Sequence, residues 1–172
     1  MSSPTTASPQ RSRLDLIGKE PLEWSRRVVG ECDDRAVSSA NREAVRQLHD
    51  LDESGRLQRD PLFELLDEEV EWQALGPTDL FPWAGTHRGH DGVRRWFDLL
   101  NAAMAYERFE LLELYSDDET VVEVIAAAGK ARATGAPFAS EVVRVWTFHD
   151  GKAIRVRSYY DTHGYAAALV GT

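Results

Sequence analysis

A chain of 172 residues, 42% of them apolar, is long enough for one domain with a substantial core and too short for two comfortable ones. Its net charge of −9 would repel a phosphate backbone, so nucleic acid is not an expected partner. Cys32 stands alone, which excludes an internal disulfide and a multi-cysteine zinc site, and no apolar run reaches the length of a membrane span.

The first thirteen residues, MSSPTTASPQRSR, lack the apolar stretch of a secretory signal and are almost free of apolar side chains, so a disordered tail and a cytoplasmic location are expected. From 14 to 38 the apolar residues Leu16, Ile17, Leu22, Trp24 and Val28 are interrupted by Gly18 and Pro21, as in an arm with a short helix. The domain proper is expected at 39–172. Ser39 is a plausible N-cap for a helix carrying Val45, Leu48 and Leu51 and closed by Gly55. Asp60-Pro61 opens a second, short helix with Leu62, Phe63, Leu65 and Leu66 on its apolar face. Val70 to Leu75 alternates as a strand, and Gly76 to Thr86 reads as a Gly/Pro-punctuated loop bearing two aromatics. Val93, Trp96, Phe97, Leu100 and Met104 recur at helical spacing. The period then becomes two, giving strands near 109–115, 120–130, 138–149 and 153–160. Helices first and hairpin-linked strands afterwards make an α+β pattern, a sheet with helices gathered on one face.

Alternation divides each strand into two faces. In 138–149 the set Phe138, Ser140, Val142, Arg144, Trp146 and Phe148 carries the aromatics and should face inward, together with Ile154, Val156, Ser158 and Tyr160 of the next strand. A three-residue loop, His149-Asp150-Gly151, keeps these apolar sets on one side. In the preceding strand the inward set becomes Val121, Glu123, Ile125 and Ala127, which puts Glu123 across from Arg144 on an apolar surface. The outer set, Val122, Val124, Val143 and Val145, is too apolar for free exposure, and a homodimer through the sheet would cover it.

Two stretches, GPTDLFPWAGTHRGHDGVRRWF at 76–97 and FHDGKAIRVRSYYD at 148–161, resemble the nuclear transport factor 2-like superfamily, in particular its SnoaL-like polyketide cyclase group, related to limonene epoxide hydrolase and ketosteroid isomerase. The resemblance runs from Ser39 to Leu169. It implies a cone-shaped, curved antiparallel or mixed sheet wrapped around the N-terminal helices, an apolar pocket opening near 76–86, and commonly a dimer. It also implies chemistry without a cofactor. The acids those relatives use are replaced: the steroid isomerase positions hold Ala74, Gln47 and Arg144. The epoxide hydrolase positions hold Ser158, Ile125, Ala127, Trp72 and Ala74.

Arg144 and Glu123 are therefore the candidate catalytic pair. Arginine in an apolar cavity stays charged and presents a planar fork to an enolate, carboxylate or carbonyl, and Glu123 could move a proton. The alternative is a buried structural ion pair. Trp72, Trp83, His87, Trp96, Leu100, Met104, Ser140, Trp146, Ser158 and Tyr160 are the candidate ligand-binding residues, with His87 or Trp83 at the pocket mouth. Asp161 reads as the N-cap of a closing helix at 162–169. His87 and His90 lack an evident third ligand, so no metal is expected. The expected function is a cofactor-independent cyclase, isomerase or hydratase acting on a small hydrophobic polyketide- or terpenoid-like intermediate. The alternative is a non-catalytic ligand-binding or dimeric assembly module.

Overall fold

The computed structural model describes residues 39–50, 60–117 and 119–171. The tail and arm expected over 1–38, and the helix-closing role of Gly55, lie outside these residues. Among the described residues four helices and six strands follow in the order α1 (Ser39–Gln47), α2 (Asp60–Leu65), β1 (Leu66–Ala74), β2 (Gly85–Arg88), α3 (Gly89–Ala103), β3 (Met104–Ser116), β4 (Thr120–Ala131), β5 (Pro137–His149), β6 (Lys152–Tyr159) and α4 (Thr162–Val170). The strands form one mixed sheet, ordered β2-β1-β6-β5-β4-β3, in which only β1 and β6 run parallel. The expected α+β class is the observed one.

Helix α1 stops at Gln47, short of the expected Leu51. Its backbone then tightens, with the amides of Leu48, His49 and Asp50 each bonding the carbonyl three residues earlier. Strand β1 begins at Leu66, directly after α2, four residues before the expected start. Strand β2 lies partly inside the stretch read as a loop; its GTHR sequence has no apolar alternation and is held by antiparallel pairing with β1. Met104 closes the apolar stripe of α3 but belongs to β3.

Burial in β4 alternates without exception from Thr120 to Gly129, and Val121, Glu123, Ile125 and Ala127 are all buried as expected. Val45, Leu62, Val93, Trp96, Leu100, Tyr165 and Ala168 from the helices join Trp72, Trp146, Phe148 and Val156 from the strands in one core. Every helix therefore contributes to the same inner layer.

The β5–β6 turn differs from the three-residue loop. His149 pairs with Lys152, so the loop is the two residues Asp150 and Gly151, with φ of 47° and 75°. Positive φ at both central residues is the type I′ geometry favoured by Asp-Gly because its twist matches the strands. A two-residue loop alone would send the polar set of β6 inward, and a bulge prevents this. Phe148 pairs with Ala153 but Thr147 with Arg155, leaving Ile154 unpaired and 40% exposed. Beyond the bulge Val156 and Ser158 return to the inner face, 0% and 2% exposed.

Strand β3 carries two similar irregularities, one between Tyr106 and Arg108 and one between Leu111 and Glu113. The first brings Tyr106 and Phe109, three residues apart, to one face. At Gly129, across from Tyr106, the two strands approach closely: a Cβ there would stand 2.0 Å from the Ala105 carbonyl oxygen. Bulges of this kind bend a sheet, and the inner face of this one encloses a cavity.

Candidate functional site

One line of side chains crosses five strands on the inner face: Ala74 of β1, Ser158 of β6, Arg144 of β5, Glu123 of β4 and Leu114 of β3 are successive neighbours. This line forms part of the wall of a cavity of about 850 Å³. Trp72, Trp83, Trp96, Leu100, Met104, Trp146, Ser158 and Tyr160 line it along with Glu123 and Arg144. His87 and Ser140 do not. The His87 ring bonds the Trp83 carbonyl at 3.0 Å, and the Ser140 hydroxyl donates to the Glu141 carbonyl and accepts the Asp161 amide.

Glu123 is fully buried. Its Oε1 lies 3.3 Å from Arg144 Nη1, and its Oε2 is 2.6 Å from His49 Nε2, a shorter contact absent from the sequence-based site. A carboxylate only accepts, so Nε2 is the nitrogen of His49 that carries the hydrogen. The opposite nitrogen, Nδ1, is buried and has no partner among the described residues. His49 lies one turn after Val45 in the tightened tail of α1, and its ring stacks on Phe109 with centroids 5.9 Å apart. Its position four residues after Val45 and next to Leu48 was a usable signal for an inward side chain.

The Arg144 guanidinium is 5.5 Å from the Trp72 ring centre, 5.3 Å from Phe109 and 6.0 Å from Trp96, an aromatic collar that favours a cation with little water around it. A single 3.3 Å contact with Glu123 leaves the fork unsaturated, and Arg144 Nε has no partner among the described residues. The same is true of the indole nitrogens of Trp72, Trp96 and Trp146 and of the Ser158 hydroxyl.

Three phenols add a second polar group to the lining. Tyr106 and Tyr165 share a hydrogen bond of 3.1 Å, and Tyr160 accepts the Trp83 indole N–H at 3.0 Å. Burial raises all three above the ordinary tyrosine value, Tyr160 to about 12, so each keeps its proton at neutral pH. Tyr106, Phe109 and Tyr165 were missed by the sequence reading. The bulge in β3 hides the first two from a period-two count, and α4 is too uniformly apolar to mark an inward residue.

The mouth is not where the loop was expected to place it. Phe81 and Trp83 are 0% and 1% exposed, and Trp83 is the member of 76–84 that lines the cavity, as buried wall. The exposed members of the lining are Asn101, Glu107, Arg108 and Arg132, at the end of α3 and the adjoining ends of β3 and β4. Asp161 is the N-cap of α4, accepting the amides of His163 and Gly164 at 3.0 and 3.1 Å. The rings of His87 and His90 bond the carbonyls of Trp83 and Leu66, and among the described residues no three His, Cys, Asp or Glu side chains converge.

A match to the SnoaL-like domain spans residues 45–156, from the inward face of α1 through β6 to Val156. The chain belongs to the SnoaL-like domain family. Among solved structures, an NTF2-like protein from Burkholderia xenovorans LB400 is similar at 27% identity, with 75% of this chain and 95% of that one covered and a TM-score of 0.64. TerC, crystallised with polyporic acid, is similar at 21% identity, covering 76% of this chain and 98% of its own, with a TM-score of 0.65. A Catenulispora acidiphila protein with a ketosteroid isomerase-like fold, solved with trimethylamine, shares 13% identity over 64% of this chain and 81% of its own, at a TM-score of 0.54. These last two likenesses are of fold. No curated protein matches the chain. The SnoaL-like assignment gives an isomerase- or cyclase-type or ligand-binding fold, and no helix among the described residues is long and apolar enough to cross a membrane.

Proposed function

We propose that this SnoaL-like protein is a cytoplasmic, cofactor-independent enzyme of cyclase or isomerase type, moving a proton on a small hydrophobic polyketide- or terpenoid-like intermediate. The observation that carries the reading is the buried set His49–Glu123–Arg144 on the cavity wall, with contacts of 2.6 and 3.3 Å. Both oxygens of Glu123 are engaged, so its role is to orient His49 and to balance Arg144. The unpartnered His49 Nδ1 is then the base, as in any carboxylate–imidazole pair where one nitrogen is fixed and the other faces the reaction.

The step balances simply. Nδ1 takes a proton from carbon next to a substrate carbonyl, the electron pair moves onto the carbonyl oxygen, and Arg144 stabilises the resulting oxyanion. Return of the proton at another carbon completes an isomerisation. Attack of the carbanion on a second carbonyl within the same molecule, with the proton returned to its oxygen, completes a cyclisation.

The unsaturated fork of Arg144 supports this over a purely structural ion pair, which would use its donors on the glutamate. The outer face supports a homodimer: Val122, Val124, Val143 and Val145 are half-buried, and their neighbours Tyr115 and Tyr159 are 45% and 37% exposed.

The test is exchange of the α-hydrogens of 2-tetralone in D2O, followed by proton NMR. Wild type should accelerate exchange, and His49→Gln should lower the catalysed rate by about 10²–10⁴-fold. Wild-type rates in the variant, or no acceleration by wild type, would overturn the proposal.

A further inference from the structure

Arg144 Nε, the indole nitrogens of Trp72, Trp96 and Trp146, and the Ser158 hydroxyl are buried without partners among the described residues. Ser158 is the direct cross-strand neighbour of Arg144, and Trp146 the neighbour of Val156 and Val121 in the adjacent row. The Trp72 ring touches both other indoles, with centroids 4.9 and 5.8 Å away. The residues that carry these donors are thus neighbours of one another and of Arg144 on the cavity wall. Each Glu123 oxygen already has a contact, and the hydroxyls of Tyr106, Tyr165 and Tyr160 are paired within the wall.

A donor-rich patch with a half-used guanidinium is complementary to negative charge spread over two oxygens. A neutral carbonyl oxygen offers two lone pairs. A carboxylate or a 1,3-dicarbonyl enolate offers about four, in the planar spacing that suits an arginine fork. The flat aromatic walls around it favour a flat carbon frame. At the mouth Arg132 is exposed, and among the described residues its Nε bonds a neutral acceptor, the Asn101 carbonyl, so a cation stands beside the opening of a protein whose net charge is −9. That charge favours entry of an anion.

We propose that the cavity takes a flat organic anion whose charge is shared by two oxygens, and that those oxygens occupy the unpaired donors around Arg144. The inference rests on the reading of this cavity as the substrate site, and it names what is held there: the enolate that proton removal leaves at Arg144, which a carboxylate or a preformed enolate mimics.

The experiment is calorimetric titration at pH 7 with two matched pairs. One pair is 2-naphthoate and the uncharged 2-naphthamide. The other is 2-phenyl-1,3-indandione, an enolate at this pH, and its 2-methyl derivative, which cannot ionise. At least one anion should bind tenfold or more tightly than its neutral partner, and the tighter anion identifies the carboxylate or enolate class. The preference should vanish in Glu123→Gln/Arg144→Met, which removes both buried charges together, while the neutral probe still binds. Ser158→Ala and Trp96→Phe should each weaken the anion severalfold more than they weaken the neutral probe. Neutral probes binding as well as both anions, or a preference that survives in the double variant, would overturn the inference.

His49→Gln separates the two proposals. Loss of tetralone exchange in that variant without any anion preference in wild type would sink this inference alone. An intact anion preference with unchanged exchange would sink the catalytic assignment alone.

Discussion

Replacing Arg144 by Met tests the energetic core of the site independently of any substrate. Met keeps much of the apolar contact with Trp72, Trp96 and Phe109 but strands Glu123, which is 0% exposed, on the inner face. Removing one member of a buried ion pair costs about 3–5 kcal/mol because the survivor stays desolvated. Glu123 retains its 2.6 Å bond to His49, which places the expected loss at the lower end, about 3 kcal/mol. At about 4 °C per kcal/mol for a domain of this size, the melting temperature should fall by about 12 °C. The double variant Glu123→Gln/Arg144→Met should recover most of that loss, since no charge is left buried without a counter-ion. Thermal and urea unfolding of wild type, both single variants and the double variant close the cycle. The expected coupling is about 2 kcal/mol or more. A destabilisation by Arg144→Met of less than about 1 kcal/mol, or additive single effects, would refute the argument that these charges depend on each other.

Two further predictions concern the surroundings of the site. Asp161→Ala removes the acceptor of two helix amides and should cost about 1 kcal/mol in urea unfolding, leaving tetralone exchange within threefold of wild type; a much larger loss of activity would give Asp161 a role beyond capping. The tyrosines set an alkaline limit. Burial raises Tyr160 to about 12, and Tyr106 and Tyr165 also lie above the ordinary value near 10. The unfolded chain therefore releases these protons first, so stability is fully present below about pH 10 and falls as pH rises from there toward 12. Urea midpoints measured between pH 8 and 11.5 should show this decline, and Tyr160→Phe should flatten part of it; an unchanged slope in the variant would contradict the assignment.

How much of this was legible in the sequence depends on which physical rule placed each residue. Glu123 and Arg144 were placed by burial parity: an acid and a base each occupy the inward position of an otherwise apolar alternation, Val121-Ile125-Ala127 and Val142-Trp146. That parity survived an error in the turn. The loop after His149 has two residues, not three, yet Arg144 still faces Ser158 and Glu123, because the bulge at Ile154 restores the alternation that core burial demands. Parity failed where the strand itself was irregular. Tyr106 and Phe109 share a face only because β3 skips a residue at Glu107, beside the close approach at Gly129, and nothing local in β3 announces it.

His49 marks a different limit. Its inward direction followed from Val45 and Leu48, but its partner depends on where the tail of α1 crosses the sheet, a tertiary fact with no local signature. The consequence for mechanism is larger than one added residue. With only Glu123 and Arg144 in view, the glutamate had to be the proton carrier. Once His49 takes Oε2 and Arg144 takes Oε1, both oxygens of the carboxylate have fixed partners, whereas His49 Nδ1 has none among the described residues, and the proposed base moves to the imidazole. The proposal that the ligand is an anion comes from the same accounting of occupied and unoccupied polar atoms. The polarity of a site is decided by which donors and acceptors the fold leaves unpaired, and residue types alone do not contain that information.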